Sequence, residues 1–184
     1  MASTDLSDPP EPEPPPLAWQ VVIADTLTAH GVTVAAYVPD TRLQPILSRL
    51  AENGVRLRSL TREEECVGYA AGQRIAGHRP VVLMQSSGLG NALNAIGSLA
   101  VPYRLGLPLV VSMRGTLGEA NQSQVPIGRA TRRLLGTLGI QAFPVRSAAT
   151  AVEVTAGVLT LAFEAGECAA VILEPELGGG REGN

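Results

Sequence analysis

Hydrophobic and polar positions along the chain follow two spacings in turn, one typical of helices and one typical of strands. Segments with apolar residues three or four positions apart, or with helix start and stop signals, cover residues 17–30, 42–53, a segment from 62, a segment from about 90, 128–138 and 148–165. Short segments rich in Val, Leu, Ile and Ala cover residues 33–38, 55–60, 80–84, 108–113, 140–145 and 169–175. Their regular alternation predicts an α/β fold.

The predicted architecture is a three-layer α/β/α fold, in which helices cover both faces of a six-stranded, mainly parallel sheet. Strands 80–84 and 108–113 are apolar without alternation, which places them at the centre, whereas strand 55–60 alternates and has one side exposed. In such folds ligands bind at the carboxyl ends of the strands. The loops at that edge are residues 39–41, the start of 61–65, 85–91 and 114–128.

The chain divides into one domain and two short tails. Residues 1–16 are acidic and rich in proline, so we expect a disordered tail, followed by a domain over 17–176 and a flexible, glycine-rich tail over 177–184. The first residues lack the apolar core of a signal peptide, and no apolar run approaches the about 20 residues of a membrane span. The sequence therefore predicts a cytoplasmic protein without a membrane segment.

Charge and composition narrow the class of protein. The formal net charge is −3, without a cluster of basic residues, which argues against binding to nucleic acid. Cys66 and Cys168 lie in apolar surroundings without CxxC spacing, which predicts two buried thiols rather than a disulfide or a metal site. His30 and His78 have no partner at metal-ligand spacing, so we expect no metal ligands in this chain.

Three consecutive glutamates begin the helix predicted from residue 62, in the stretch TREEE. Thr61 has the character of an N-cap, and Glu64 three residues later would complete a capping box. Glu63 shares a helix face with apolar positions and would lie at the edge of the core. Those positions are Cys66, Val67 and Ala70. Two interpretations stay open: three surface acids stabilised by the helix dipole, or one acid whose pKa is raised in an apolar site.

The stretch QSSGLGN, residues 85–91, is similar to a phosphate-binding loop between a strand and a helix. It lacks the Lys-Ser/Thr pair of a Walker motif and the full dinucleotide fingerprint. The same glycines would also serve a tight turn from strand to helix. The local sequence favours this geometric role over phosphate binding.

Four motifs occur in the order in which one known family has them. They are VPDT at 38–41, Glu63 followed nine positions later by Gly72, MQSSGLGN at 84–91, and QVPIG at 124–128. Over roughly residues 17–176 the chain resembles the pyrimidine-binding (PYR) domain of thiamine-diphosphate enzymes. The branch that it resembles is the sulfopyruvate and phosphonopyruvate decarboxylase family. The resemblance implies the thiamine-diphosphate-binding (PYR) fold.

The resemblance also implies the chemistry of Glu63. In the family this glutamate shares a proton with a pyrimidine nitrogen of thiamine diphosphate, which activates the cofactor to attack a 2-oxo acid and to accept the electrons as CO2 leaves. The implied cofactor contacts are Glu63, Pro39, Gln85, Gly88, Leu89 and Asn91. The implied substrate contacts are Asp40, Thr41, Gln85, Arg114 and Gln124.

Two further arginines are candidates for contacting the substrate's second anion, Arg104 and Arg129, although a surface or structural role would fit each of them. Glu64 and Glu65 keep ordinary roles at the helix start.

A motif of the family is missing from these 184 residues, namely GDG followed by Asn, which holds the diphosphate through Mg2+. The resemblance therefore implies that thiamine diphosphate and Mg2+ are held largely by a separate PP-domain β subunit carrying that motif. We expect a hetero-oligomer, inactive without its partner, that decarboxylates a small anionic 2-oxo acid. The substrate expected is 3-sulfopyruvate, giving sulfoacetaldehyde and CO2. Phosphonopyruvate decarboxylation is the alternative, and a non-catalytic α/β binding module, against which Glu63 argues, is a third.

Overall fold

A computed structural model describes residues 18–177 as a parallel sheet between two layers of helices. The helices are α1 (Trp19–Ala29), α2 (Gln44–Glu52), α3 (Glu63–Ile75), α4 (Ser86–Ala95), α5 (Val125–Thr137) and α6 (Ala148–Phe163). The strands are β1 (Val34–Tyr37), β2 (Arg56–Ser59), β3 (Pro80–Gln85), β4 (Pro108–Ser112), β5 (Gln141–Val145) and β6 (Ala169–Leu173). The two predicted tails lie outside the described residues, apart from Leu177, which ends a short 3₁₀ helix.

The six strands pair in the order β2-β1-β3-β4-β6-β5, and every pairing is parallel. This confirms the α/β fold and the central position of β3 and β4. Gln85 at the end of β3 is level with Ser112 at the end of β4, and Ser112 is level with Leu173 of β6. The carboxyl ends of three neighbouring strands therefore meet in one row, where the following loops can act together.

Each face of the sheet has its own core. Val81 and Leu83 of β3 pack with α1, α2 and α6, whereas Val82 and Met84 pack with α3, α4 and α5. Because successive strand residues point to opposite faces, a strand covered by helices on both sides must be apolar at every position. This explains the unbroken hydrophobic runs of the two central strands. None of the described helices is long and apolar enough to span a bilayer.

Helix α4 begins at Ser86, directly after β3, and not near residue 90 as the glycines had suggested. The predicted loop 85–91 is therefore wrong, because the glycines of this segment serve close packing inside a helix. A Cβ on Gly88 would lie 2.2 Å from Oε1 of Glu63, and one on Gly90 would lie 3.0 Å from Cδ1 of Ile127. Side chains from two neighbouring helices thus occupy the space that larger residues would need.

The start of α3 also differs by one residue from the prediction. The helix begins at Glu63, so its third residue is Glu65, whose Oε2 accepts hydrogen bonds from the backbone N–H groups of Thr61 and Arg62 at 3.0 and 3.1 Å. Glu64 instead forms an ion pair with Arg62 at 2.9 Å. The capping role predicted for Glu64 therefore belongs to Glu65, while Glu63 takes no part in closing the helix end.

Candidate active site

Asp40 joins the ends of the three strands β1, β3 and β4. Its Oδ1 accepts hydrogen bonds from the backbone N–H of Arg42 at 3.0 Å and from Oγ of Ser112 at 3.2 Å, and its Oδ2 accepts one from Nε2 of Gln85 at 2.8 Å. Oε1 of Gln85 in turn accepts a hydrogen bond from Oγ of Ser87 at 2.6 Å. Asp40 and Gln85, both expected at the site, are therefore brought together, and the Gln85 amide is fixed from both sides.

Glu63 lies where α3 meets α4. Its Oε2 accepts a hydrogen bond from Nδ2 of Asn91 at 3.2 Å, and its carboxyl group lies directly against the Cα of Gly88. No donor within residues 18–177 reaches its Oε1. The neighbouring positions Cys66 and Val67 are completely buried, as predicted. One carboxylate oxygen is thus held by the protein and the other is left to accept or share a proton.

This corner fits one end of thiamine diphosphate. A carboxylate with a free oxygen, half-buried beside an apolar helix face, is the group that a pyrimidine nitrogen needs. Gly88 and Asn91, which are expected to touch the cofactor, both contact Glu63, and the side chain of Leu89, also expected there, is completely buried in the core. Their contacts with the cofactor stay predictions. Pro39 and Thr41 are exposed at the same edge. The described residues contain no group of three or more His, Cys, Asp or Glu that could hold a metal ion.

Arg114, expected to bind substrate, is occupied by an acid of its own loop. Its Nε and Nη2 donate to the two carboxylate oxygens of Glu119 at 2.6 and 2.8 Å. Glu119 also accepts hydrogen bonds from the backbone N–H groups of Gly115 and Asn121. The Arg114 hydrogen bonds, then the one from Asn121, lower the pKa of Glu119 to about 2. The pair is electrically neutral and closes the loop 114–121 at its base.

Two glycines let the ends of this loop pack backbone against backbone. A Cβ on Gly128 would lie 2.0 Å from the carbonyl oxygen of Arg114, and one on Gly115 would lie 2.1 Å from the carbonyl oxygen of Gln124. This close approach gives a physical reason for the glycine in QVPIG. Oε1 of Gln124, another expected substrate contact, is buried and has no hydrogen-bond donor within the described residues.

The remaining two arginines lie in different places. Arg104 pairs with Glu167 at 2.9 Å, and both precede strands, which puts them at the amino edge of the sheet, away from the site. Arg129 is exposed on the second turn of α5 and lines an open cavity of about 540 Å³. The rest of the lining is residues 115–119 and Val125.

A charged cluster at the end of β6 was missed by the sequence analysis. Glu174 is only 6% exposed; its carboxylate pairs with Arg132 and lies 3.6 Å from Arg146, and its carbonyl oxygen accepts a hydrogen bond from Arg42. The guanidinium of Arg42 also lies over the Trp19 ring, at 5.7 Å from its centroid. These residues come from five distant parts of the sequence, so no local pattern could have revealed them.

The ion pair between Glu119 and Arg114 should appear in the pH dependence of the free energy of unfolding. We expect Glu119→Gln to reduce the free energy of unfolding by about 1–2 kcal/mol at pH 7, allowing for screening at the half-exposed Arg114. Because the folded pKa is about 2 and the ordinary value is 4.5, this contribution is complete above pH 4.5 and lost as the pH falls towards 2. Urea unfolding of both proteins at pH 7 and pH 3 measures it.

The matched control is Glu167→Gln, which breaks the exposed pair with Arg104 and should change stability little at either pH. A Glu119→Gln effect of equal size at pH 7 and pH 3 would contradict the role given to its charge.

Comparison with known proteins places this site in a class. The family described as "Thiamine pyrophosphate enzyme, N-terminal TPP binding domain" matches residues 19–127. Among solved structures, 2-oxoglutarate:ferredoxin oxidoreductase from Magnetococcus marinus has a similar fold, with a TM-score of 0.68 and 15% identity, over 88% of this chain and 29% of that chain. The class defined by fold and site is the thiamine pyrophosphate enzymes.

Sequence relatives narrow the class further. The chain is 38% identical over 145 residues to sulfopyruvate decarboxylase subunit alpha of Methanothermobacter thermautotrophicus, covering 78% of this chain and 88% of that protein. It is 37% identical over 118 residues to sulfopyruvate decarboxylase of Methanosarcina acetivorans, covering 64% of this chain and 30% of that longer protein. It is 36% identical over 112 residues to phosphonopyruvate decarboxylase of Streptomyces hygroscopicus, covering 60% of this chain and 28% of that protein. The chain belongs to the family of the sulfopyruvate decarboxylase α subunits, which confirms the resemblance found in its motifs.

Proposed function

We propose that this chain is the α (PYR) subunit of a thiamine-diphosphate-dependent decarboxylase that converts 3-sulfopyruvate to sulfoacetaldehyde and CO2. The observation that carries the proposal is the Glu63 carboxylate, held through one oxygen by Asn91 and left free at the other. The names of three relatives, each a sulfopyruvate decarboxylase subunit alpha, support the substrate. The shorter match to a phosphonopyruvate decarboxylase supports phosphonopyruvate as the second candidate.

The chain's own residues prepare one proton-sharing atom. Asn91 and the bare backbone of Gly88 hold the Glu63 carboxylate, so that Oε1 can exchange a proton with a pyrimidine nitrogen. Cys66 and Val67, on the same face of α3 as Glu63, are completely buried, so Glu63 lies at the edge of the core. When bound, thiamine diphosphate supplies the electron sink that decarboxylation of a 2-oxo acid requires. The fixed amide of Gln85 gives the substrate side a defined polar wall.

A second subunit would complete the site. The Methanothermobacter relative is named as a subunit, and this chain covers 88% of its length. The Methanosarcina relative carries no subunit label, and this chain covers 30% of its length. This difference supports one enzyme that occurs either split or fused. The GDG…N motif is absent from these 184 residues, so we place the Mg2+ and the diphosphate on a PP-domain β subunit that carries it.

Co-expression with a GDG-containing β subunit tests the proposal. We expect the complex to release CO2 from 3-sulfopyruvate faster than from phosphonopyruvate, and the isolated chain to be inactive. Calorimetric titration of the isolated chain with thiamine diphosphate and Mg2+ should give weak binding, because the diphosphate lacks its partner groups.

Micromolar affinity of the isolated chain for the cofactor would contradict the split site. A complex that binds thiamine diphosphate and decarboxylates neither substrate would favour the non-catalytic binding module.

A further inference from the structure

The carboxylate of Asp40 is already occupied by hydrogen bonds from its own chain. Its Oδ1 accepts from the backbone N–H groups of Arg42 and Leu43 at 3.0 and 3.2 Å and from Oγ of the buried Ser112 at 3.2 Å. Its Oδ2 accepts from Nε2 of Gln85 at 2.8 Å. A negative charge with donors of its own is a poor contact for an anionic 2-oxo acid. The role of Asp40 therefore lies in the groups that it holds.

The carboxylate of Asp40 determines which way the Gln85 amide points. An ionised carboxylate has acceptors only, so the amide must turn a hydrogen of Nε2 towards Asp40. Oε1 of Gln85 then faces Oγ of Ser87, which donates to it at 2.6 Å. Ser87 alone could not impose this direction, because a hydroxyl group can donate or accept. The orientation of the amide is thus fixed by the chemistry of Asp40.

One donor of this fixed amide remains free, and it lies near Glu63. Nε2 of Gln85 carries two hydrogens, and Asp40 is its single acceptor among residues 18–177. Gln85 is the N-cap of α4, and Gly88, three residues later, lies against the Glu63 carboxylate. Gln85 and Glu63 therefore meet at the first turn of α4, and one helical turn rises only about 5 Å. A single small molecule can reach both side chains.

We propose that the free N–H of Gln85 donates to the carboxylate of the 2-oxo acid, and that Asp40 is a positioning residue that acts through this amide. The proposal rests on the function proposed above. A neutral donor suits this carboxylate, because its charge disappears as CO2 leaves and a cation would stabilise the reactant more than the transition state. Of the two residues expected to contact the substrate here, Gln85 does so and Asp40 does not.

Asp40→Asn should turn the Gln85 amide round. The backbone N–H groups of Arg42 and Leu43 need an acceptor, so the new amide keeps its oxygen towards them and presents its NH2 group to Gln85. Gln85 must then turn Oε1 to that group and Nε2 to Ser87, whose hydroxyl oxygen can accept. The hydrogen bonds are kept, so stability should change little. A lone pair of Oε1 replaces the free N–H and repels the substrate's carboxylate.

Kinetics of the assembled complex measure this reversal. We expect Asp40→Asn to raise KM for 3-sulfopyruvate about 10- to 100-fold, the loss of one hydrogen bond to a charged group, without lowering kcat. Asp25→Asn on α1 is the matched control and should keep the wild-type KM. Asp25 also accepts from an amide, Nδ2 of Asn53 at 2.8 Å, but it lies in the second half of α1, away from the carboxyl ends of the strands.

An exchange of the acid and the amide separates positioning from a structural role. In Gln85→Glu two carboxylates face each other, so we expect a lower urea midpoint. The double variant Asp40→Asn, Gln85→Glu restores a pair of carboxylate and amide, so its midpoint should return towards the wild-type value. Its KM should stay high, because a carboxylate at position 85 has no donor for the substrate. Recovery of KM together with stability would overturn the proposal.

Two further measurements need no turnover. In NMR spectra of the isolated chain, the NOE contacts of the Gln85 amide protons should move from the β protons of residue 40 to those of Ser87 in Asp40→Asn; unchanged contacts would overturn the reversal. 3-Sulfopropionate carries a carboxylate but no oxo group, and calorimetry should show its affinity for the complex falling about 10- to 100-fold in Asp40→Asn. Ethanesulfonate has no carboxylate, so its affinity should not change.

The outcomes are distinct. Equal KM and 3-sulfopropionate affinity in Asp40→Asn and Asp25→Asn would overturn the inference and leave the proposed function intact. A wild-type complex that does not decarboxylate 3-sulfopyruvate would overturn the function, and the titration would still decide on Gln85. Weaker 3-sulfopropionate binding by Asp40→Asn then supports the contact, and unchanged or absent wild-type binding overturns it. An equal loss of ethanesulfonate affinity would overturn the assignment to the carboxylate.

Discussion

Glu63→Gln should lose about 10²- to 10⁴-fold of the decarboxylase activity of the assembled complex, the usual contribution of a positioned acid or base. The amide is nearly isosteric, so it can still accept the hydrogen bond from Asn91 and pack against Gly88. It cannot share a proton with a pyrimidine nitrogen, which is the task assigned to Oε1. Thermal unfolding and co-purification with the β subunit should therefore stay at wild-type levels.

Exchange of the thiazolium proton of bound thiamine diphosphate for deuterium, followed by NMR, measures the lost step directly. Glu64→Gln is the matched control, because Glu64 carries the same charge one position away and only pairs with Arg62. Glu65→Gln should also keep its activity, with a slightly lower stability because its capping is weaker. Wild-type exchange in Glu63→Gln would mean that TREEE is only a solvated helix start.

Gly88→Ala should impair activity to a similar degree, although it replaces no ionisable residue. The new methyl would lie 2.2 Å from Oε1 and 2.4 Å from Cδ of Glu63, so the carboxylate must leave its position. The helix itself should gain up to about 1 kcal/mol, because alanine is a better helix former than glycine. We therefore expect an inactive complex whose fold is at least as resistant to heat, a combination that simple destabilisation cannot produce.

Gly157→Ala on α6 is the matched control, since a Cβ there meets nothing within 4 Å. The double variant Gly88→Ala, Glu63→Gln should be hardly less active than either single one, because both remove the same interaction. Full activity of Gly88→Ala in a steady-state assay would show that Glu63 is not held against α4 during the reaction.

The fold could be predicted largely from the sequence because burial on both faces leaves a strong signal. The unbroken apolar runs at 80–84 and 108–113 gave the correct central strands. The start of α4 was wrong because glycine is a poor helix former, and the contacts that make it necessary come from Glu63 and Ile127, far away in sequence.

The site could be predicted in part. The position of Glu63 in the first turn of α3 follows from motifs whose members are each local, although the helix start and its capping glutamate were each predicted one residue too early. The pairing of the charged side chains could not be predicted in this way, because it depends on contacts of the folded chain. Arg114 is neutralised by Glu119 only when the loop closes. Glu119 is five residues from Arg114, so the stretch RGTLGE did contain a signal for that pair. The cluster around Glu174 had no such signal, since its arginines come from separate parts of the chain.

In the loop 114–128, the residues that fix the path of the backbone differ from those that line the cavity. Its path is set by the glycine contacts at 115 and 128 and by the ion pair at its base, whereas Thr116, Leu117 and Arg129 face the cavity without fixing that path. Leu117 is 97% exposed, so nothing in the described core depends on it. Substitutions at these three positions should therefore reshape the wall of the cavity and leave the path of the loop unchanged.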